Sequence, residues 1–338
     1  MTNYTVTIQP EGDHIQCADN ESVLHAALRQ GVLLPYGCRS GYCGSCKAQL
    51  VSGQVELEDY DEDALTVAER DAGKTLLCRA RPCSDLEIAV REIHRGADLE
   101  VRRMPARVAR MELLSDDVMQ LFLKLPSSER LQFLAGQYIQ VIMKNGKRRS
   151  FSLANSPSDD EFLELHVRHV PDGAWTDHVF QNMKIKEILR IEGPFGEFFW
   201  RDESTGPAIF VAGGTGFAPV KSILEALFER QVQQALYLYW GVRRQRDLYM
   251  LDTVEQWARR YRNFQFIPVL SEAGADADWK GRRGWVHEAV LEDFVELSRC
   301  AVYAAGPPVM VQAAQRAFPG RGLLPERFYS DAFTYARD

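Results

Sequence analysis

Residues 37–46 read Gly-Cys-Arg-Ser-Gly-Tyr-Cys-Gly-Ser-Cys. Cys38, Cys43 and Cys46 stand at C-x4-C-x2-C spacing, and 31 residues separate Cys46 from the next cysteine, Cys78. This is the ligand spacing of a plant-type [2Fe–2S] cluster, whose four thiolates hold two irons. A short loop wraps such a cluster, so that three sulfurs converge from one segment and the fourth closes the cage from a distant strand. Glycines at 37, 41 and 44 permit the backbone angles this requires and leave no Cβ in the way. Backbone N–H groups in such a loop also stabilise a negatively charged cluster.

Zinc is the competing metal, but it usually takes two C-x2-C pairs or added histidines. Here there is one such pair and no histidine between residues 26 and 93. Disulfides would suit a small secreted chain. The N-terminus, Met-Thr-Asn-Tyr-Thr-Val, lacks a basic region and runs straight into strand-like alternation, so no targeting segment is expected. Seven cysteines, an odd number, suit a reducing compartment, and a cytoplasmic location is the expectation. Cys17, Cys83 and Cys300 are left over and read as buried, inert thiols.

Outward from the cluster loop, residues 4–9 and 14–17 alternate as strands, and Ser22 caps a short helix over Val23 to Arg29. Strands follow at 47–51 and 54–57, then a helix near Thr66–Arg70, and a last strand at 86–90. The outline is a β-grasp sheet with the metal loop at one edge. Residues 91–104 are charged and poorly periodic. From Ala106 to Trp200 short strands dominate, at 106–113, 117–124, 137–143, 149–154, 161–168 and 187–192. With one helix near 174–182, they predict an antiparallel barrel. From residue 207 strands and helices alternate: strands at 208–212, 235–240, 264–269 and 301–304, helices at 219–230, 252–261, 286–298 and 308–317. That order predicts a parallel α/β sheet. The 338 residues therefore divide into a ferredoxin-like module over 1–94, a linker over 95–104, a barrel over 105–203 and a nucleotide domain over 204–338.

Composition is that of a folded globular chain, with 46% hydrophobic and 26% charged residues, and no apolar run approaches a membrane span of about 20 residues. Residues 1–95 carry 15 acidic and 9 basic side chains, whereas 96–338 carry 32 and 31. The acidic surplus therefore lies in the cluster module, notably at Glu56, Glu58, Asp59, Asp61, Glu62 and Asp63. It reads either as a solvated loop or as a patch steering a basic redox partner. No basic stripe marks a nucleic-acid surface, and neither nucleic acid nor membrane is an expected partner.

Two further motifs handle nucleotides. Gly213-Gly214-Thr215-Gly216-Phe217-Ala218-Pro219 follows the apolar run Ala208–Ala212 and opens a helix. Small residues there let main chain approach a pyrophosphate, and proline suits the first helical turn. The run lacks the third glycine of G-x-G-x-x-G, and no acid ends the next strand at Trp240-Gly241. Gly173-Ala174-Trp175-Thr176 by itself reads as a glycine turn and a helix N-cap.

In this order the motifs resemble the ferredoxin–NADP+ reductase superfamily. Arg149-Ser150-Phe151-Ser152 is similar to its R-x-Y-S/T flavin motif, with Phe151 where tyrosine is usual. The resemblance implies that Arg149 pairs with flavin phosphate, Phe151 packs on the isoalloxazine and Ser152 reaches its N5. Gly173, Trp175 and Thr176 fall on the second phosphate segment, and Gly213, Gly214, Thr215 and Gly216 on the GGTGxAP pyridine-nucleotide loop. Ala305-Gly306-Pro307-Pro308-Val309-Met310 resembles the C-G-P-x-x-M nicotinamide segment, with Ala305 at the cysteine position. Asp331-Ala332-Phe333 resembles an acidic–x–aromatic ending, in which Phe333 covers the flavin face until nicotinamide displaces it. Ser152, Asp331 and Phe333 are thereby cast in catalytic roles.

The whole chain looks like an N-terminally ferredoxin-fused reductase, a group that includes oxygenase reductase components and CDP-6-deoxyhexulose-3-dehydrase reductases. The implied path runs from NAD(P)H to FAD, then singly to the [2Fe–2S] cluster held by Cys38, Cys43, Cys46 and Cys78, then to a redox protein acceptor. Arg243 and Arg244 read either as receivers of a 2′-phosphate just beyond the second strand or as surface charges, while the resemblance tilts the nucleotide towards NADH. The competing functions are a flavin reductase releasing reduced flavin and a redox-sensing binding module with incidental turnover.

Overall fold

Alternation of Val6, Ile8, Ile15 and Cys17, all buried, pairs β1 (Asn3–Gln9) with β2 (Asp13–Ala18) as an antiparallel hairpin. The computed structural model describes every residue except 1, 11, 31, 33, 37, 38, 91–98, 128, 160, 202–205, 273–277 and 334–338. The chain forms two compact units, Met1–Glu100 and Val101–Asp338.

In the first unit, α1 (Val23–Arg29) opens where the Ser22 hydroxyl accepts from the His25 N–H, and it buries Val23, Leu24, Ala26 and Ala27. After β3 (Lys47–Ser52) and β4 (Val55–Leu57), α2 (Val67–Asp71) carries a full capping box between Thr66 and Glu69. It is followed by β5 (Lys74–Leu76), β6 (Ala80–Pro82) and β7 (Leu86–Ala89). The main sheet runs β2-β1-β7-β3-β5, with β1 and β7 parallel, and β4 pairs separately with β6. This is the expected β-grasp arrangement. Cys17 and Cys300 are buried as expected, whereas Cys83, just past β6, is exposed. β5 and β6 escaped the sequence reading because three residues are too few to show alternation.

The second unit begins with an antiparallel sheet of six strands. These are β8 (Arg102–Ser115), β9 (Val118–Lys124), β10 (Tyr138–Ile142), β11 (Arg148–Ser152), β12 (Leu163–Arg168) and β13 (Ile188–Phe195). Their order is β11-β10-β13-β8-β9-β12, and an antiparallel bridge between Leu153 and Leu165 joins the two end strands into a barrel. Val108, Leu121, Leu123, Ile139, Val141, Leu165 and Ile191 fill it. β8 starts at Arg102, within the charged stretch 91–104. The helix anticipated near 174–182 is one turn, α3 (Ala174–Asp177), continued by a wider π-type turn over His178–Asn182.

The chain then alternates through β14 (Ala208–Gly213), α4 (Phe217–Glu229), β15 (Leu236–Val242), α5 (Leu251–Arg260) and β16 (Phe264–Leu270). It continues with β17 (Arg282–Arg283), α6 (Val286–Asp293), β18 (Ala301–Gly306), α7 (Pro308–Ala317) and β19 (Phe328–Ala332). These strands form a wholly parallel sheet in the order β17-β16-β15-β14-β18-β19. Every residue of β14 and β18 is buried, as central strands covered on both faces require. α6 stops well short of the expected 298. Phe294 turns out of helical geometry and packs edge-on against Tyr237, 5.0 Å between centroids.

Candidate functional site

Cys43, Cys46 and Cys78 are all buried, and Cys46 Sγ lies 3.2 Å from Cys78 Sγ. Cys38, the remaining candidate ligand, is outside the described residues, as is Gly37. Among the described residues no three cysteine, histidine or carboxylate side chains converge as a metal-binding group, so the pair is the structural core of this site. Gly41 and Gly44 adopt φ of +82° and +70°, and the loop's tight path past Tyr60 and Ala64 depends on them. The Cys46 thiol is pushed well above its ordinary value, first because it donates to Cys78, then by burial, with Cys43 adding to the effect. Ser45 Oγ is buried in the same loop without a hydrogen-bond partner, and an acceptor seated there would satisfy it. An all-thiol donor set with a buried donor beside it fits an iron–sulfur cluster.

The parallel sheet reverses its strand order between β14 and β18, and ligands of such sheets bind in the crevice beyond that point. The loops leaving these strands, Gly213–Gly216 and Gly306–Pro307, meet main chain to main chain. A Cβ on Gly216 would lie 2.0 Å from Ala305 O, and Gly306, at φ +141°, leaves no room for one against Gly213. Pro307 and Met310 close over Gly213. Trp240 Nε1 donates to Gly214 O at 3.0 Å and stacks on Phe217, pinning the start of α4. Arg168 reaches the same loop from the barrel, its NH1 beside Gly214, while its Nε is held by Asp117 at 2.8 Å. A glycine loop at a helix start with a guanidinium beside it fits a pyrophosphate.

On the barrel side, strand alternation puts Arg149 and Phe151 on one face of β11 and Ser152 on the other. Phe151 packs at 6.3 Å from Trp175, which brings the two flavin-type segments together. Trp175 Nε1 is buried with no hydrogen-bond partner, a donor that a bound polar group would satisfy. The Thr176 hydroxyl donates within hydrogen-bond distance of Val170 O and Gly173 O and accepts from Val170 N–H, so its work is to shape that loop. Ser152 Oγ donates to Asp331 Oδ2 at 3.3 Å. Asp331 stands opposite Ala305 in the β18–β19 ladder, and Phe333 N–H donates to Gly306 O at 2.8 Å. Ser152, Asp331, Phe333 and Gly306 are therefore one neighbourhood.

A buried polar network locks the barrel to α4. Lys221 Nζ donates to Glu164 at 3.0 Å, to Glu225 at 2.9 Å and to Ala154 O at 3.1 Å. Glu164 also accepts from Gln120 and bonds His166, whose other ring nitrogen meets the Tyr249 hydroxyl at 3.0 Å. Burial alone would raise the Glu164 carboxyl, but the His166 bond and the Lys221 charge outweigh it and hold it at about 2. Burial pushes the His166 imidazole below 6.5. Sequence reasoning missed Arg168, Lys221 and Glu164, since no local pattern announces that a β12 side chain reaches a loop beyond β14.

Three family descriptions match the chain in succession. Residues 6–83 match the 2Fe-2S iron-sulfur cluster binding domain, 105–200 the oxidoreductase FAD-binding domain and 210–316 the oxidoreductase NAD-binding domain. The chain is 39% identical over 328 residues to CDP-6-deoxy-L-threo-D-glycero-4-hexulose-3-dehydrase reductase of Yersinia pestis, covering 97% of this chain and 98% of that one. It is 37% identical over 342 residues to the phenol 2-monooxygenase reductase component DmpP of a Pseudomonas species, with 98% and 96% covered. Among solved structures it resembles the Amycolatopsis cytochrome P450 reductase GcoB, with a TM-score of 0.82, 34% identity and coverage of 98% and 99%.

Proposed function

We propose delivery of single electrons to a separate partner enzyme as the role of this chain, which belongs to the family of NAD(P)H-dependent reductases carrying a [2Fe–2S] ferredoxin domain, an FAD-binding domain and an NAD-binding domain on one polypeptide. It is an oxidoreductase that passes electrons from NAD(P)H through FAD and the cluster to a protein acceptor. When bound, nicotinamide supplies electrons in pairs, FAD handles both pairs and single electrons, and the cluster carries one at a time.

The residue roles complete the proposal. Cys38, Cys43, Cys46 and Cys78 hold the iron. Arg149 and the backbone of Gly173–Thr176 anchor flavin phosphates, with Phe151 and Trp175 packing along the flavin. Ser152 holds the reacting edge in place and is itself held by Asp331. Gly213 to Gly216 seat the nucleotide pyrophosphate with Arg168, while Gly306 and Pro307 bound the nicotinamide and Phe333 excludes water until it arrives. The division into 1–94, 105–203 and 204–338 belongs to the same reading. Among the described residues no helix is long and apolar enough to cross a membrane. The proposed location is the cytoplasm, where reducing conditions keep cluster thiols available.

The relatives that serve a sugar dehydrase and a phenol monooxygenase support an acceptor of the dehydrase or oxygenase kind. The observation that carries the reading is the Cys46–Cys78 pair inside a compact N-terminal unit, an outlet that a plain flavin reductase would not need. Anaerobic titration with NADH or NADPH tests it. Flavin absorbance should bleach and a reduced [2Fe–2S] electron-resonance signal should follow; a cluster that stays oxidised under excess of both nucleotides would refute it.

A further inference from the structure

We infer that Glu272 selects between the two pyridine nucleotides, favouring the free ribose hydroxyl of NADH over the 2′-phosphate of NADPH. This rests on the proposed seating of the nucleotide on Gly213–Gly216. Arg168, which reaches Gly214, lines a cavity of about 390 Å³ together with Arg243, Arg244 and Arg246. Four arginines in one cavity would suggest a phosphate site. Each, however, already faces a carboxylate. Arg168 binds Asp117 through Nε at 2.8 Å, which leaves its NH1 beside Gly214 for the pyrophosphate, and Arg246 lies 3.6 Å from Asp116. Arg243 and Arg244 share Glu272, at 3.7 and 3.9 Å. Asp247 accepts from the Arg244 N–H at 3.0 Å and completes a balance of four cations and four anions.

The placement of Glu272 is what makes it the discriminator. In dinucleotide folds an acid ending the second strand takes the ribose hydroxyls, whereas an arginine there receives a 2′-phosphate. Here β15, the second strand, runs into Arg243 and Arg244 with no acid of its own. The ladder between β15 and β16 continues past both strand ends, through Ser271 N to Val242 O and Glu272 N to Arg243 O, each 2.9 Å. That register sets a third-strand acid beside the second-strand arginines. Its contacts with them are longer than hydrogen bonds, so both carboxylate oxygens keep capacity to accept from hydroxyls. A 2′-phosphate would instead bring up to about two negative charges against Glu272, and the arginine pair it needs already shares that carboxylate. Arg243 and Glu272 are more than half exposed, so solvent limits the preference to about tenfold rather than making it absolute.

The test is kcat/KM for NADH and for NADPH on the full-length holoprotein, with ferricyanide as acceptor. Wild type is expected to favour NADH by about tenfold. Glu272→Gln should raise kcat/KM for NADPH through a lower KM and reduce it for NADH, so that the ratio collapses. Adding Arg243→Gln and Arg244→Gln to Glu272→Gln should abolish the gain for NADPH. A wild type that prefers NADPH, or a ratio unmoved by Glu272→Gln, overturns the assignment. Gly214→Val, which would push into Arg168, separates this failure from failure of the seating itself. If it weakens both nucleotides while Glu272→Gln changes nothing, only the selection by Glu272 is wrong; if neither variant affects either nucleotide, the seat lies elsewhere.

Discussion

Ser152 Oγ donates to Asp331 Oδ2 across 3.3 Å, and both side chains are buried. The pair joins the edge of the barrel to the last strand of the parallel sheet, 179 positions away in the chain. It therefore fixes the flavin-type strand relative to the crevice where Gly306 and Phe333 meet. A hydroxyl held by a buried carboxylate has its own hydrogen directed and its lone pairs left for another donor.

Ser152→Ala should slow reduction of bound flavin by NADH by about tenfold to a hundredfold, on the order of 1.4–2.7 kcal/mol of barrier. Flavin affinity should change little, since the phosphate-side groups are untouched. Asp331→Ala should have a smaller effect of the same kind, because it frees the hydroxyl without removing it. Stopped-flow absorbance at the flavin band, with flavin dissociation measured separately, checks both.

Gly216→Ala tests the close approach of the two crevice loops. Its Cβ would fall 2.0 Å from Ala305 O, a main-chain atom that cannot step aside alone. The loops must part, so KM for pyridine nucleotide should rise by about tenfold or more while flavin and cluster absorbance stay at wild-type levels. Unchanged KM in a folded variant would mean that the nucleotide does not use this crevice.

What could be read from the residues in advance was whatever local chemistry dictates. The cysteine spacing at 38, 43 and 46, the Ser22 cap and the glycine run before Pro219 each depend on neighbours within a few positions. Glu272 could not be read in this way. Its place is set by how β15 and β16 pair beyond their ends, and the residue itself looks like an ordinary loop acid. Lys221 presented the same difficulty, since a lysine in the first turns of an amphipathic helix usually points to water. Only docking of α4 on the barrel reveals Glu164 waiting for it.

That buried network should make the second unit acid-sensitive. His166 is held below 6.5 and Glu164 at about 2 rather than 4.5. Both folded values are depressed, so their contribution is present above the unfolded values. It is lost as pH falls, first below 6.5 and then from 4.5 towards about 2. Glu225, raised above 4.5 chiefly by burial, works in the opposite direction and offsets part of the loss. The Glu164 shift corresponds to about 3 kcal/mol. Urea unfolding followed between pH 7 and pH 3 should show stability falling with acid, and Glu164→Gln should flatten the lower part of that slope.

Lys221→Met would leave Glu164 and Glu225 buried without their cation. Removing one partner from such a group costs about 3–5 kcal/mol. The loss should appear in thermal or urea unfolding of the second unit and should be accompanied by weaker nucleotide binding, since Lys221 lies on the helix that the glycine loop opens. Lys221→Arg should restore part of the stability, because the charge returns even though the fork does not fit three acceptors equally.

The cluster cysteines give the sharpest separation of the two units. Cys46 and Cys78 face each other at 3.2 Å in the first unit, whereas the nucleotide crevice and the Ser152–Asp331 pair lie wholly in the second. Cys46→Ser or Cys78→Ser exchanges a soft thiolate for a hydroxyl that is a poor iron ligand at neutral pH. The visible absorbance of the cluster should disappear, and reduction of a one-electron protein acceptor such as cytochrome c should fall by about a hundredfold or more. Ferricyanide reduction by NADH, which draws on flavin directly, should persist within about twofold. Equal loss of both activities would mean that the cluster is needed for the second unit to work at all, and the serial order of the electron path would have to be redrawn.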